Sequence, residues 1–283
     1  MPFENVYIWS EFPEKVDWKK AKELLDFPVS VYIAASSKKE FLKWKRKAEN
    51  KYISCGVWPT ISKQEGYWFS SYCSKESIKK LLEFKGERIK VDLEPPIPNI
   101  KKYAFWPLVK YSFQLLQRKA KEKQYLHQII QQLPRDKEVI LSGLPLPIKM
   151  RGIYGDDFTK LTPNMKRNFF IYSTLYPKWI YPIIKIYYRI FLKRDKKFYG
   201  NKLLCAVGCI GPGIFGTEPI YRNINEFRAD LLFVEQQGIK NIVIFELGGI
   251  LKRDNPQAWI NLIKQYTQPL LKQKEKKTKW QSN

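Results

Sequence analysis

Ile89-Lys90-Val91-Asp92-Leu93-Glu94-Pro95-Pro96 reads as a strand that ends in two acids and two prolines. Val91 and Leu93 alternate with polar neighbours at the two-residue period of a strand, so Asp92 and Glu94 point to the same side. Two prolines cannot continue the ladder, which places both carboxylates at the C-terminal rim. Neighbouring carboxylates raise one another's pKa, a cost that a purely structural strand has no reason to carry. A general acid with an orienting partner needs that arrangement.

Working outward, short apolar runs alternate with long amphipathic ones from end to end. Strands are predicted at Val6–Ser10, Val29–Ala35, Tyr52–Val57, Arg88–Leu93, Glu138–Ser142, Asn168–Thr174, Leu203–Gly208 and Asn241–Leu247. Helices are predicted between them, at Trp18–Leu25, Lys38–Glu49 (capped by Ser36 or Ser37), Lys75–Glu83 (capped by Ser74) and Phe105–Gln132 in the first half. Pro182–Leu192, Ile224–Gln237 and Pro256–Tyr266 follow in the second. Alternation of this kind implies parallel strands with crossover helices. Eight such units predict an α/β protein of a single domain, a (β/α)8 TIM barrel over residues 1–271 with a lysine-rich, frayed tail at 272–283. The rival, an open doubly wound sheet, would carry glycines after its first strand, where this chain has Glu11-Phe12-Pro13-Glu14. The long segments Asn99–Leu133 and Leu144–Arg167 follow strands and are expected over the barrel mouth.

Hydrophobic residues make up 44% of the 283 and charged residues 28%, the composition of a folded domain. Cys55, Cys73, Cys205 and Cys209 read as buried thiols, and with one histidine, His127, no zinc site is expected. Neither a cofactor nor a metal is expected. No basic region followed by an apolar one opens the chain, which predicts a cytoplasmic protein. The net charge of +24 suits an anionic small molecule or membrane surface, although lysines spread over every helix also read as solvated faces. Nucleic acid is the weaker partner on this reading. Lys178–Arg194 is aromatic, apolar and flanked by basic residues, as interfacial helices are, and equally reads as the sixth barrel helix with its apolar face on the sheet.

Barrel chemistry sits at the C-terminal strand ends. That rule gathers Asp92, Glu94 and Glu246 at one rim with Trp9, Glu11, Trp58, Trp68, Ser142, Tyr172 and Phe245. Aromatic faces beside carboxylates suit a sugar, whose C–H faces stack on rings while acids bind hydroxyls and move protons. Glu94 is then the acid, with Glu246 as nucleophile or base. Gly211, Gly213 and Gly216 follow strand seven, a common place for a phosphate cradle, and an equally common place for tight turning.

The exit Asp92-Leu93-Glu94 resembles the end of the DxDxE signature of the family 18 chitinases. The resemblance implies a glycoside hydrolase-like barrel with Glu94 as general acid, Asp92 orienting the substrate's acetamido group, and Tyr172 as the strand-six tyrosine. It covers about six residues well, and Lys90 replaces the first Asp. Two functional readings result: a metal-independent glycosidase-like hydrolase acting on a glycan, and a barrel enzyme or binding protein for a phosphorylated or lipid-linked anionic substrate at a membrane surface.

Overall fold

A computed structural model describes residues 3–98, 102–116 and 120–267. The tail expected at 272–283 lies outside them. Eight strands close into an all-parallel barrel in sequential order. They are β1 (Asn5–Ser10), β2 (Val29–Ala35), β3 (Ile53–Pro59), β4 (Ile89–Leu93), β5 (Val139–Gly143), β6 (Met165–Phe170), β7 (Leu203–Val207) and β8 (Asn241–Phe245). Around them run α1 (Trp18–Leu24), α2 (Lys38–Ala48), α3 (Lys75–Lys79), α4 (Phe105–Leu116), α5 (Lys123–Gln131), α6 (Ile148–Arg151), α7 (Tyr181–Tyr199), α8 (Ile224–Gln236), α9 (Leu247–Leu251) and α10 (Pro256–Gln265).

The helices form where a cap and an apolar face coincide. In α2, Ser37 accepts the Glu40 N–H while Phe41, Trp44 and Ala48 turn one face onto the sheet. In α8, Asn223 caps, and Phe227, Leu231 and Val234 do the packing. The shell between sheet and helices is one continuous core, and a second cluster including Tyr7, Trp9, Tyr32, Trp58, Phe170 and Phe245 fills the barrel itself.

Three expectations need correction. The strand predicted at Asn168–Thr174 runs over Met165–Phe170, because Lys166, Arg167 and Asn168 are strand residues whose polar groups find buried partners. The long helix predicted at Phe105–Gln132 is two, α4 and α5. The last strand ends at Phe245, and Glu246 begins a helix instead.

One seam positions the opening acid motif. Strands β3 and β4 pair only at Val57 and Ile89, so the upper half of β4 is open on that side. The chain after β3 folds back and supplies Phe69 as a one-residue strand. Its N–H donates to the Asp92 carbonyl at 3.1 Å, and the Glu94 N–H donates to the Phe69 carbonyl at 3.2 Å. The backbone of both acids is thereby fixed.

Candidate active site

A cavity of about 550 Å³ opens at the C-terminal end of the barrel. Its floor is built from β4. Lys90, Asp92 and Glu94 occur at alternate positions and all line the cavity. Lys90 Nζ lies 2.8 Å from Asp92 Oδ2, with both side chains buried. The same ammonium stands 3.3 Å from the Trp58 ring centroid and 4.8 Å from that of Trp9. Rings and carboxylate together make a buried cation tolerable. Burial pushes the Lys90 ammonium down and the Asp92 carboxyl up, and each partner opposes the other's shift.

Asp92 Oδ1, Trp58 Nε1 and Trp9 Nε1 make no hydrogen bond of good geometry among the described residues, while the Trp58 and Ser142 side chains stand near enough to Asp92 to hold its carboxyl down against burial. Buried polar groups are normally satisfied, so these atoms are available to a water or to a polar group of a ligand. Glu94 is half-buried beside them. Burial, and then the charge of Asp92, holds its carboxyl well above the ordinary range. That shift favours the protonated form, as a general acid requires.

Glu11, at the exit of β1, is a further acid of the cavity. It is buried and accepts the Tyr67 hydroxyl at 3.1 Å. Burial raises it to about 8; the Tyr67 hydrogen bond opposes that shift, while the charges of Glu246 and Glu218 add to it. Tyr67 has φ 66, left-handed backbone that a residue with a Cβ seldom adopts. Trp68 meets Tyr67 edge to face at 5.6 Å, and Tyr172 stacks on Phe245 at 5.5 Å; Trp68, Tyr172 and Phe245 are on the cavity wall.

Glu246 has another task. It N-caps α9, with Oε2 accepting the Gly248 N–H at 3.1 Å and Oε1 the Gly249 N–H at 2.6 Å, and it does not line the cavity. Ser142 is likewise buried beside Asp92 in the sheet, bonded by Asn168 at 3.2 Å, and stays off the cavity wall.

The glycine loop after β7 passes close to three carboxyl side chains. A Cβ on Gly211 would stand 2.7 Å from Glu246 Oε1 and from the Gly249 backbone. One on Gly213 would stand 3.0 Å from Glu11 Oε2 and 3.1 Å from Glu218 Oε1. Gly216, at φ 70, closes a tight turn on Gly213. Gly211 and Gly213 allow close packing against the side chains of Glu246, Glu11 and Glu218.

Glu218, Phe170 and Cys209 line the cavity without being among the expected site residues, and Tyr67 holds Glu11 from behind the wall. Lys90 was noted only as a departure from a signature. Its place two residues before Asp92 could have marked it as facing the same way. Among the described residues, no three His, Cys, Asp or Glu side chains gather as metal ligands do.

No protein-family model matches the sequence, and no curated protein sequence is similar to it. Solved structures share its fold. The glycoside hydrolase domain of PgaB (BpsB) from Bordetella bronchiseptica is similar over 93% of this chain and 99% of that one, with a TM-score of 0.58 and 10% identity. The catalytic domain of a family GH18 chitinase from the fern Peteris ryukyuensis is 11% identical over 93% of this chain and 99% of its own, with a TM-score of 0.47. A xylose isomerase domain protein from Planctomyces limnophilus is 12% identical over 94% and 98%, with a TM-score of 0.46. The chain thus has a glycoside hydrolase-like TIM-barrel fold.

Proposed function

We propose that the protein is a glycoside hydrolase-like enzyme acting on a glycan that carries an acetamido sugar. The observation that carries this reading is the half-buried Glu94, its carboxyl held well above the ordinary range, beside an Asp92 ion-paired to Lys90 on the cavity floor. Glu94 donates its proton to the glycosidic oxygen as the bond breaks. Asp92 Oδ1 accepts the acetamido N–H and turns the acetamido carbonyl oxygen toward the anomeric carbon, so that the substrate supplies its own nucleophile. Lys90 keeps Asp92 ionised in a buried site, and Trp9, Trp58 and Trp68 offer the aromatic faces on which a sugar ring stacks.

This division of labour leaves Glu246 as a helix cap and needs no second free carboxylate. The test is release of reducing ends from a panel of N-acetylglucosamine-containing oligosaccharides. Wild type is expected to turn over at least one, and Glu94→Gln to lose about 10²–10⁴-fold in kcat while still binding it. Equal rates for the two proteins, or no turnover by wild type across the panel, would overturn the assignment.

A further inference from the structure

The cavity is more apolar than a sugar requires. Away from the β4 acids its wall includes Leu108 and Val109 of α4, Leu146, Ile184 of α7, Ile214 and Phe215. At its rim Phe113 of α4 and Met150 of α6 both line the cavity and face solvent, 64% and 40% exposed. A polar floor thus leads through an aliphatic and aromatic channel to an apolar lip.

The lip continues onto α7. One face of this helix packs on the barrel through Tyr188, Phe191, Leu192 and Tyr199. Beside it Trp179, and on the helix Ile183, Ile186 and Ile190, recur at intervals of four, three and four, which puts them in one stripe. They are 70%, 66%, 57% and 67% exposed, so the stripe is not part of the core. An isolated exposed isoleucine needs no explanation, but a row on the same helix that lines the cavity with Ile184, Tyr187 and Tyr188 does. The neighbouring elements carry exposed cations: Lys110 on α4, Lys149 on α6, Lys178 just before α7, and Arg189 and Lys193 on it. Neither α4 nor α6 contains an acid, and the one acid of α7, Asp195, is buried. No helix among the described residues is long and apolar enough to cross a membrane.

We propose that this face seats on an anionic lipid bilayer and that the cavity draws from it the aliphatic chain of a lipid-linked glycan, the sugar reaching Asp92 and Glu94 while the chain occupies the channel. The identity of the head group rests on the glycosidase reading above; the chain channel and the membrane face rest on the geometry of α4, α6 and α7. The charge selects the occupant. An apolar stripe with cations on its own and neighbouring elements is complementary to acyl chains beneath anionic headgroups. A second copy docking by the same patch about a twofold axis would set the lysines and Arg189 against their own equivalents.

Two measurements test this without requiring turnover. In co-sedimentation, wild type is expected to pellet with phosphatidylglycerol–phosphatidylcholine vesicles in a salt-sensitive way and not with phosphatidylcholine alone. The triple variant Ile183→Ser, Ile186→Ser, Ile190→Ser, with an unchanged circular dichroism spectrum, should partition at least ~10-fold more weakly. In tryptophan-fluorescence titrations below micelle formation, dodecyl maltoside should bind more tightly than octyl maltoside, on the order of threefold per added methylene. Val109→Asp should flatten that dependence. Vesicle binding that ignores the triple variant, absence of vesicle binding by wild type, or equal affinity for the two maltosides overturns the proposal. So does a dimer in sedimentation velocity that the triple variant abolishes while vesicles are ignored. Neither arm depends on turnover at Glu94. Failure of the glycan panel alone therefore removes the glycosidase reading, and failure of these arms alone removes the lipid one.

Discussion

Burial raises all three acids of the cavity, but their neighbours differ. Asp92 has a cation at 2.8 Å, while the charge of Asp92 adds to the rise of Glu94, and those of Glu246 and Glu218 to that of Glu11. Unequal surroundings two residues apart are what the proposed division between a general acid and an ionised partner requires. Glu11 gives the cleanest pH signature, because its carboxyl moves from 4.5 to about 8 on folding. With the folded value raised, the native state holds a proton that the unfolded chain releases, so stability falls as pH climbs from 4.5 toward 8. Glu11→Gln keeps an acceptor for Tyr67 and removes the titration. Its melting temperature should match that of wild type near the bottom of this window and exceed it progressively above, by about 1.4 kcal/mol of stability for each pH unit crossed. Calorimetry across the window checks this, and a difference independent of pH would sink it.

At the scale of elements, the strands legible in the sequence were those apolar on both faces, such as Val29–Ala35, buried in the shell on one side and the barrel on the other. Strand β6 hid because Lys166, Arg167 and Asn168 are made tolerable only by Glu138, Asp156 and Ser142, partners distant in sequence. The acids of β4 were legible from their spacing, whereas Tyr67 and Glu218 arrive on loops whose paths no periodicity encodes. The end of β8 was misread for a local reason. Apolar residues run on past Glu246, but Gly248 and Gly249 place two N–H groups where the Glu246 carboxylate can accept both, and the strand turns into α9. That capping role is separable from catalysis. Glu246→Gln retains an acceptor and should keep kcat within about tenfold of wild type, while Glu246→Ala should cost about 1–2 kcal/mol in urea unfolding. A folded Glu246→Gln whose kcat falls by about 10³-fold or more would restore the nucleophile role.

Across the whole molecule, chemistry and cohesion occupy opposite ends of the barrel. The acids and their cavity lie at the C-terminal mouth, and the N-terminal end is tied by Glu138, which immediately precedes β5. Its carboxylate pairs with Arg88 and Lys166 and accepts the hydroxyls of Tyr7 at 3.0 Å and Tyr32 at 2.6 Å. Side chains from β1, β2 and β6, and from the residue before β4, thus converge on one group. Burial alone would raise its pKa, but Lys166 and Arg88 override it and hold the carboxyl at about 2, against 4.5 ordinarily. The sign is opposite to that of Glu11. Stability from Glu138 is complete above 4.5 and is lost as pH falls from 4.5 toward 2. The tie also matters to a chain of net charge +24, in which Arg88 and Lys166 would otherwise repel each other. Glu138→Gln should therefore cost about 3 kcal/mol in urea unfolding near neutrality, and the gap from wild type should narrow steadily on acidification through that window. Turnover of a soluble glycan by the surviving native fraction should be unchanged, since the cavity lies at the other end. A penalty that persists undiminished at the acid end of the window would show that packing, and not the charge of Glu138, closes the bottom of the barrel.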